Sequence, residues 1–487
     1  MSKRLFANLG LMLQIAGLLT IFPIVIGLIN NESQAVISLF LACVAFLGCG
    51  FLLNALCERK ELDFKGSNFL FLTTFVVLPL IGALPYFYMN PFKTPIPFDV
   101  FTNGYFESVS GFTTTGFSFI TNPETLPVSL LVYRSLTELM GGVGIVFLLL
   151  AFFQSKKSLN YLSNFAGIEN VCGSLKKTYF SVFAIYTTYI LAFTGIFYAL
   201  GFTNVINTGA FVIDTITGGF QPSTAAYQPY LSLAPQICII ALMLLGSLNF
   251  AFSYNLFARK LRNAFSAEIA TFLVIIAAAA IVISSLTNVT IFDSFFHVVS
   301  MSSSTGQSYL PLSAFGNTGY SILIVTMLIG GCSFSMAGGI RVFRLLNSTQ
   351  TIKESIMSVL FKEQTSLSMR KSRKPSEESG EENGSLESTS ALVTILLFVA
   401  ILVVFAVIFT TAGVTFTDAL FEVGSALTTN GISMGATTVT MGSGYKWLMI
   451  VAMTIGRVEI LSILIAFFSL RKRWFQPALE WLKRFKP

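Results

Sequence analysis

The stretch FESVSGFTTTG at positions 106–116 returns as FEVGSALTTNG at 421–431, with six of the eleven positions identical. FHVVSMSSSTG at 296–306 is a further copy, and the more diverged IDTITGGF at 213–220 is another. Each copy combines hydroxyl side chains with a glycine and lies between two long apolar segments. Because such a stretch is too short to span a bilayer and too apolar for a free loop, it predicts a re-entrant segment.

The composition indicates a membrane protein. Of 487 residues, 54% are hydrophobic and only 11% are charged, against about 25% charged in soluble domains. We therefore predict an all-α polytopic membrane protein with ten transmembrane helices, of which two extra N-terminal helices precede four pseudo-symmetric helix–pore-loop–helix repeats. The apolar runs predict spans at 6–29, 35–57, 67–88, 127–153, 178–201, 231–257, 267–287, 318–345, 391–411 and 445–470.

The repeats divide the chain into units. The polar insert at 347–390 contains RKSRK at 370–374 followed by five glutamates, a composition typical of a disordered linker. The predicted domains are two N-terminal helices (1–60), repeat 1 (61–155), repeat 2 (156–262), repeat 3 with an intramembrane loop (263–346), a charged cytoplasmic linker (347–390), repeat 4 (391–472) and a cytoplasmic tail (473–487).

Lysine and arginine set the orientation, because cytoplasmic loops carry an excess of them. With both termini in the cytoplasm, only Lys93 and Lys446 fall in predicted outer loops. The net charge of +7 is then a consequence of topology, and we predict a lipid bilayer rather than a nucleic acid as partner. The six cysteines show no paired short spacing, so neither a disulfide framework nor a zinc site is predicted.

Four converging backbone segments suit the binding of a dehydrated cation. Moving a bare cation into hydrocarbon costs tens of kcal/mol, so carbonyl and hydroxyl oxygens must replace its water, and glycine permits the required backbone conformations. A single copy could be a helix-joining turn, but four copies on one predicted side favour a filter. The predicted selectivity filter consists of Thr114, Thr115, Gly116, Thr217, Gly218, Gly219, Ser304, Thr305, Gly306, Thr429, Asn430 and Gly431.

Three other stretches add a family resemblance: YRSLTELMGGVGI at 133–145, GGCSFSMAGGIR at 330–341 and GRVEI at 456–460. With the four filter segments, they make residues 60–470 resemble the Trk/Ktr/HKT superfamily of K+ transporters, and within it the TrkH branch. The resemblance implies potassium uptake across the bacterial inner membrane through a gated four-repeat pore, and no enzymatic activity. It implies K+ as the transported ion, bound at Thr114, Thr115, Gly218, Thr305 and Asn430.

The same resemblance implies a homodimer, a cytosolic TrkA-like nucleotide-binding regulatory ring, and no organic cofactor in this chain. The chain departs from the family pattern at Gln307, Asn430 and Ile432. A less selective Na+/K+ channel and a cation-coupled secondary transporter, such as a symporter, therefore stay open as alternatives. The repeat runs the same way four times, whereas many secondary transporters have inverted halves.

The segment 330–339 predicts a break in the span 318–345, because small and helix-breaking residues fill it. A small-residue packing face is the alternative. Arg457 lies mid-span, where a charge is costly, so we expect it to face the pore or to pair with Glu459 or Glu138. By the resemblance, the predicted gate consists of Gly330, Gly331, Cys332, Ser333, Ser335, Ala337, Gly338, Gly339 and Arg457.

Glu107, His297 and Glu422 occupy one position in three copies of the repeat. The two carboxylates could attract cations or anchor a pore helix, and anchoring is the interpretation we favour. His297 is the only histidine, so it is expected to be a hydrogen-bonded packing residue rather than part of a metal cluster.

Overall fold

The computed structural model describes residues 2–57, 64–152, 175–220, 232–260, 264–360 and 378–466. Every regular element in these ranges is helical. Two predicted features lie outside the described residues: the boundary between repeats 1 and 2 at 155/156, and the tail at 473–487.

The α-helices are numbered here in chain order. They are α1 (Ser2–Ile29), α2 (Ser33–Leu56), α3 (Phe64–Gly82), α4 (Leu84–Met89), α5 (Pro97–Phe112), α6 (Val128–Phe152), α7 (Leu175–Ala199), α8 (Val205–Thr217), α9 (Leu233–Ser247), α10 (Phe250–Phe257), α11 (Ala267–Leu286), α12 (Ile291–Ser302), α13 (Gly316–Ile329), α14 (Val342–Leu360), α15 (Glu378–Thr410), α16 (Phe416–Leu427), α17 (Ser443–Val458) and α18 (Ile460–Ala466).

Among the described residues, seven helical segments are long and apolar enough to cross a membrane, or up to nine if each of two bent helix pairs is one span. The segments are Leu5–Ile29, Ser33–Leu56, Gly66–Met89, Phe180–Ala199, Ala267–Leu286, Leu312–Ile329 and Thr389–Thr410. The bent pairs are α9 with α10 and α17 with α18. In addition, α6 coincides with the predicted span 127–153.

Four short helices, α5, α8, α12 and α16, precede the predicted filter segments and have 16, 13, 12 and 12 residues. Side chains cap the first turns of α8, α12 and α16, because N–H groups at a helix start have no partner within the helix. Thr290 accepts the N–H of Asp293, and Thr415 accepts that of Asp418. Pro97 occupies the start of α5, where its missing N–H costs nothing.

The N-terminal hairpin of α1 and α2 packs on α3 and α6. Glu32, in the turn of this hairpin, joins it to the start of α6. Its Oε1 accepts the N–H of Val128 at 2.7 Å, and its Oε2 accepts the N–H of Ser129 at 2.9 Å. One carboxylate therefore satisfies two free N–H groups, and its negative charge interacts favourably with the positive end of the helix dipole.

The predicted span 231–257 is not one continuous helix, since α9 and α10 meet at 110°. The carbonyl oxygens of Gly246 and Ser247 accept the N–H groups of Met336 and Cys332, each at 3.0 Å. Asn249 then caps α10 by accepting the N–H of Ala251. A distant loop thus replaces the missing helical hydrogen bonds, and this is why the local sequence did not reveal the bend.

The predicted span 445–470 is broken as well, because α17 and α18 meet at 95°. Glu459 lies at the bend with φ +67°. Its carboxylate binds the guanidinium groups of Arg341, at 3.1 Å, and Arg344, at 2.5 Å. These ion pairs hold Glu459 in a backbone conformation that non-glycine residues rarely adopt.

The predicted break within 318–345 is confirmed, because α13 ends at Ile329 and α14 begins at Val342. The prediction of a disordered linker is wrong for the described parts of 347–390. Residues 347–360 belong to α14 and 378–390 to α15, and the two helices pack on each other. Amino-acid composition alone does not predict contacts between two helices. The RKSRK stretch lies outside the described residues.

We expect Glu32→Ala to lower the free energy of unfolding by about 1–3 kcal/mol, because a hydrogen-bonded carboxylate is removed from two backbone donors. The measurement is the melting temperature of the detergent-solubilised protein, which should fall by a few degrees. Glu32→Gln keeps one acceptor oxygen and should recover part of the loss. An unchanged melting temperature in Glu32→Ala would contradict the assigned contact.

Candidate functional site

Four glycines from distant parts of the chain come together in the described structure. Gly116, Gly219, Gly306 and Gly431 have φ values of +83°, +114°, +71° and +81°, which side-chain-bearing residues rarely adopt. All four line one cavity of about 650 Å³. They therefore lie together on one face, at the ends of α5, α8, α12 and α16.

Each glycine packs against the backbone of the next segment. A methyl group added to Gly219 would overlap the carbonyl oxygen of Thr305, and one added to Gly306 would overlap that of Asn430. Only a residue without Cβ allows so close an approach. The second, third and fourth segments are therefore in backbone contact.

The same pattern closes the ring. A methyl group on Gly431 would overlap the carbonyl oxygen of Thr115, and one on Gly116 would lie 2.6 Å from the carbonyl carbon of Gly219. Each segment thus contacts the next, and the fourth contacts the first. The structure brings the four predicted filter segments together around one axis.

A second set of polar groups lies two residues before each glycine. The hydroxyls of Thr114 and Thr429 are buried without a hydrogen-bond partner. The Ser304 hydroxyl accepts the N–H of Gly338 at 3.1 Å, whereas Thr217 donates to the Ile213 carbonyl at 2.7 Å. Two of the four hydroxyls are therefore buried without a hydrogen bond among the described residues.

Asn430 ties two filter segments together. Its Nδ2 donates to the carbonyl oxygen of Met301, at the end of α12, at 2.8 Å. Its Oδ1 is buried without a partner. The side chain that departs from the family pattern thus cross-links the third and fourth segments.

The cavity beyond the glycines is neutral. Hydroxyl groups line it, including those of Ser118, Thr121, Ser308 and Ser433, and no carboxylate belongs to its described wall. No group of three or more metal-ligating His, Cys, Asp or Glu side chains occurs in the part of the chain described here. The chemistry at the glycine ring is therefore that of backbone and hydroxyl oxygen, which suits a hard cation.

Glu107 and Glu422 fasten the chain that follows two of the filters. Glu422 is fully buried and accepts the Ser433 hydroxyl at 2.7 Å and the N–H of Met434 at 2.7 Å. Glu107, also fully buried, accepts the Ser118 hydroxyl at 2.8 Å and the N–H of Phe119 at 3.2 Å. Both carboxylates face protein donors rather than the cavity, which favours the anchoring interpretation.

Two other residues contribute to these anchors. Arg134 neutralises Glu107, with its Nη2 2.8 Å from Oε1. His297, in the same position of the third copy, donates its Nδ1–H to the Asp293 carbonyl oxygen at 2.8 Å. The N–H of Leu310 reaches its Nε2 at 3.4 Å. His297 is thus a buried, hydrogen-bonded packing residue, as expected.

The loop between α13 and α14 lies directly against the filter. The N–H of Gly338 bonds Ser304, and a methyl group on Gly338 would lie 2.6 Å from the Thr429 hydroxyl oxygen. On its other side, the N–H of Ser333 donates to Glu268 at 2.6 Å. Of the predicted gate residues, Gly338 therefore reaches the filter, whereas Cys332 and Ser333 bind neighbouring helices.

Arg457 joins this loop to α6. Its Nη1 donates to the carbonyl oxygen of Met336 at 3.1 Å, and its Nη2 donates to that of Gly141 at 3.0 Å. The expected pairing with Glu459 or Glu138 is not found. Glu459 instead binds two other arginines, and Glu138 binds Thr217 and the N–H of Phe220. Arg457 is 7% exposed and is held by backbone carbonyls.

Sequence reasoning missed several supporting residues. Lys446, assigned to an outer loop, lies in α17 and is 2% exposed. Its ammonium donates to Asn103 Oδ1 at 2.7 Å and to the Val439 carbonyl at 2.6 Å, which links repeat 4 to α5. No sequence spacing pointed to this contact.

A second repeated spacing occurs in the helices that follow two of the filter segments. Gly141 and Gly456 each lie 25 residues after a filter glycine. A methyl group on either would overlap a carbonyl oxygen at the end of the preceding pore helix, Phe112 or Leu427. At each of these glycines, the helix that follows the filter segment packs closely on the end of the preceding pore helix.

Comparison with known proteins gives consistent matches. The sequence profile of TrkH, described as a cation transport protein, matches residues 265–474. The chain is 28% identical to an uncharacterized cation transporter of Methanocaldococcus jannaschii, covering 95% of this chain and 94% of the relative. It is 27% identical to the Trk system potassium uptake protein TrkH of Halomonas elongata, covering 96% and 98%.

The fold matches a solved structure along nearly its whole length. The crystal structure of the potassium transporter TrkH from Vibrio parahaemolyticus superposes with a TM-score of 0.80 at 21% identity, covering 96% of this chain and 98% of that one. At 21% identity, this match shows a similar fold. Sequence profile, relatives and fold agree, and all three point to the TrkH branch of cation transport proteins.

Proposed function

We propose that this chain is a multi-pass membrane protein that takes up potassium ions, and that it is a transport protein rather than an enzyme. The observation that carries the proposal is the closed ring in which each filter glycine packs on the backbone of the next segment. Such a ring presents carbonyl oxygens to one axis, as dehydrated K+ requires. The relatives named as potassium uptake proteins support the same ion.

The proposed architecture has ten spans and four repeats. The seven long helices, the two bent pairs and α6 together supply ten crossings. In each repeat a short helix leads into one filter segment, and α1 and α2 stand outside the repeats. The proposed domain boundaries are those predicted from the sequence, with the inner membrane as location and both termini in the cytoplasm.

In the proposed path, an ion enters the neutral cavity and loses water at the ring. Candidate ligands for K+ are the oxygen atoms of Thr114, Thr115, Gly218, Thr305 and Asn430. The unpartnered Thr114 and Thr429 hydroxyls support a site at the inner end of the ring. Glycine at 116, 219, 306 and 431 keeps the bore free of side chains.

The loop 330–341 and Arg457 are proposed to form the gate beneath the filter. The Gly338–Ser304 hydrogen bond supports a closed arrangement, because it uses a hydroxyl that would otherwise face the ion. Arg457 adds a fixed positive charge beside the loop and secures Met336. Opening then requires two changes. The loop must break its hydrogen bond with Ser304, and Arg457 must release a carbonyl oxygen.

Assembly is proposed to follow the family: a homodimer controlled by a cytosolic TrkA-like ring of nucleotide-binding subunits. The similarity to TrkH proteins in sequence profile and relatives supports this proposal. K+ is the cargo, and no organic cofactor is proposed for this chain.

The test is uptake of K+ by bacteria that lack their own potassium uptake systems, followed by Rb+ flux into proteoliposomes with Na+ competition. We expect growth at low external K+ and flux that Na+ does not suppress. Equal Na+ and Rb+ flux would favour the less selective channel. Flux that requires an opposing or accompanying ion gradient would favour a coupled transporter.

We expect Gly431→Ala to reduce Rb+ flux by about tenfold or more, because its methyl group would overlap the Thr115 carbonyl oxygen and overpacking costs about 1–3 kcal/mol. Gly444→Ala is the matched control, since a methyl group at Gly444 meets no atom within 4 Å. Flux is measured in proteoliposomes with equal amounts of folded protein. Equal flux in the two variants would contradict the role of the ring.

We expect Arg457→Ala to raise Rb+ leak roughly tenfold in the absence of regulatory subunits, because two hydrogen bonds from a charged group to the loop and to α6 are lost. Arg457→Lys keeps the charge but cannot reach both carbonyls as a planar fork does, so its leak should be intermediate. Leak at the wild-type level in Arg457→Ala would remove the gate role.

A further inference from the structure

The residue before each filter glycine differs among the four segments. It is Thr115 in the first, Gly218 in the second, Thr305 in the third and Asn430 in the fourth. Glycine offers no side chain, and the two threonines are alike, so the asparagine is the exception. These side chains also differ in what they bind, and this difference separates the fourth segment from the others.

The two threonine side chains bond within their own segments. The hydroxyl of Thr115 lies 2.7 Å from that of Thr113, and the hydroxyl of Thr305 lies 2.8 Å from that of Ser303. Thr113 and Ser303 are the residues that directly follow α5 and α12. Each hydroxyl pair therefore holds a filter segment to the end of its own pore helix.

The fourth segment is held differently. Thr428 follows α16 in the same way, but its hydroxyl donates to the carbonyl oxygen of Gly424 at 2.8 Å. Asn430 has no hydroxyl with which to pair. Its Nδ2 instead donates to the carbonyl oxygen of Met301, in the last turn of α12, at 2.8 Å. This bond crosses from the fourth repeat to the third.

A second contact joins the same two segments. A methyl group on Gly306 would overlap the carbonyl oxygen of Asn430, so the main chains touch at this point. The side-chain bond reaches Met301, which lies five residues before Gly306. One close contact lets two chains slide past each other, whereas contacts at two separate points fix their relative position. Asn430 thus supplies two points of attachment between the third and fourth segments.

The orientation of the Asn430 amide follows from its partner. A carbonyl oxygen only accepts hydrogen bonds, so the group that faces Met301 must be the NH2 group. Turning the amide over would place two acceptor oxygens against each other. Asn430 is 0% exposed, so it has no bulk water with which to exchange this bond. The cross-link therefore has one geometry.

We propose that Asn430 is a specificity-determining residue, whose cross-link to Met301 keeps the filter ring at the width that suits K+ and thereby disfavours Na+. The proposal rests on the potassium transport proposed above and assigns the discrimination between two monovalent cations to one side chain. Na+ is the smaller ion, so the ring oxygens must move inward to replace its water. The third and fourth segments, fixed to each other at two points, resist this movement.

The first experiment compares Asn430→Leu and Asn430→Thr with the wild type, as full-length proteins in proteoliposomes. Leucine has a similar volume but removes the donor. Threonine can pair with Thr428, as in the first and third segments, but its hydroxyl lies one bond closer to the main chain and does not reach Met301. Asn430→Thr is the second variant if Asn430→Leu does not fold.

The readout is the inhibition of Rb+ flux by Na+, at equal amounts of folded protein. We expect Na+ to suppress the flux of both variants at a concentration about tenfold lower than in the wild type, since one buried hydrogen bond changes an equilibrium by that order. Asn317→Thr makes the same exchange at an exposed position of α13 and should behave like the wild type. Variants of Asn430 that resist Na+ as well as the wild type would overturn the proposal.

A second readout does not depend on transport. An ion that binds the folded protein raises its melting temperature by mass action. We expect K+ to stabilise the detergent-solubilised wild type and Asn317→Thr more than Na+ does, and the two ions to stabilise the Asn430 variants equally. A preference for K+ that persists in the Asn430 variants overturns the proposal, as does a wild type without this preference.

The two readouts separate this proposal from the proposed function. If the wild type carries no Rb+, the proposed uptake fails, and the melting temperatures alone decide the role of Asn430. If the wild type carries Rb+ and Na+ equally well, cation transport stands, but the cross-link does not set its selectivity.

Discussion

A peptide group within a membrane must find a hydrogen-bonding partner inside the protein, because lipid offers none. This constraint acts wherever the chain leaves the helical conformation. At the bend after α9, the free carbonyls of Gly246 and Ser247 are taken by N–H groups of the loop 330–341. At the bend after α17, the side chain of Glu459 supports the irregular backbone through two arginines. The irregular segments therefore stabilise one another.

The four filter segments have similar backbone conformations, but different side chains fasten each of them. The first and fourth are fastened by pore-helix glutamates, the third by His297, and the second by Glu138 from the preceding repeat. The third is also hydrogen-bonded to the loop, through Ser304. Four segments with similar backbone conformations are thus held by different side chains. On the proposed path, an ion on the axis would meet similar oxygens from each side, whereas the proposed gate would act on the third segment.

The features that the sequence predicts are those encoded locally. Fourfold recurrence of one motif predicted the four glycines that the structure brings together, and the small residues of 330–339 predicted the break between α13 and α14. Contacts between distant residues were not predictable in this way. Neither the bend at Asn249 nor the attachment of Arg457 to Met336 and Gly141 has a local signature, because each depends on a partner far along the chain. The helical parts of the insert 347–390 were missed for the same reason.

Transport as proposed depends on cations binding inside the ring formed by the four glycines, and anomalous diffraction from crystals grown with Tl+ in place of K+ tests this most directly. The predicted result is anomalous density on the axis, bounded by the carbonyl oxygens of Thr115, Gly218, Thr305 and Asn430. Crystals of protein competent in Rb+ flux that show Tl+ elsewhere and none within the ring would contradict the account.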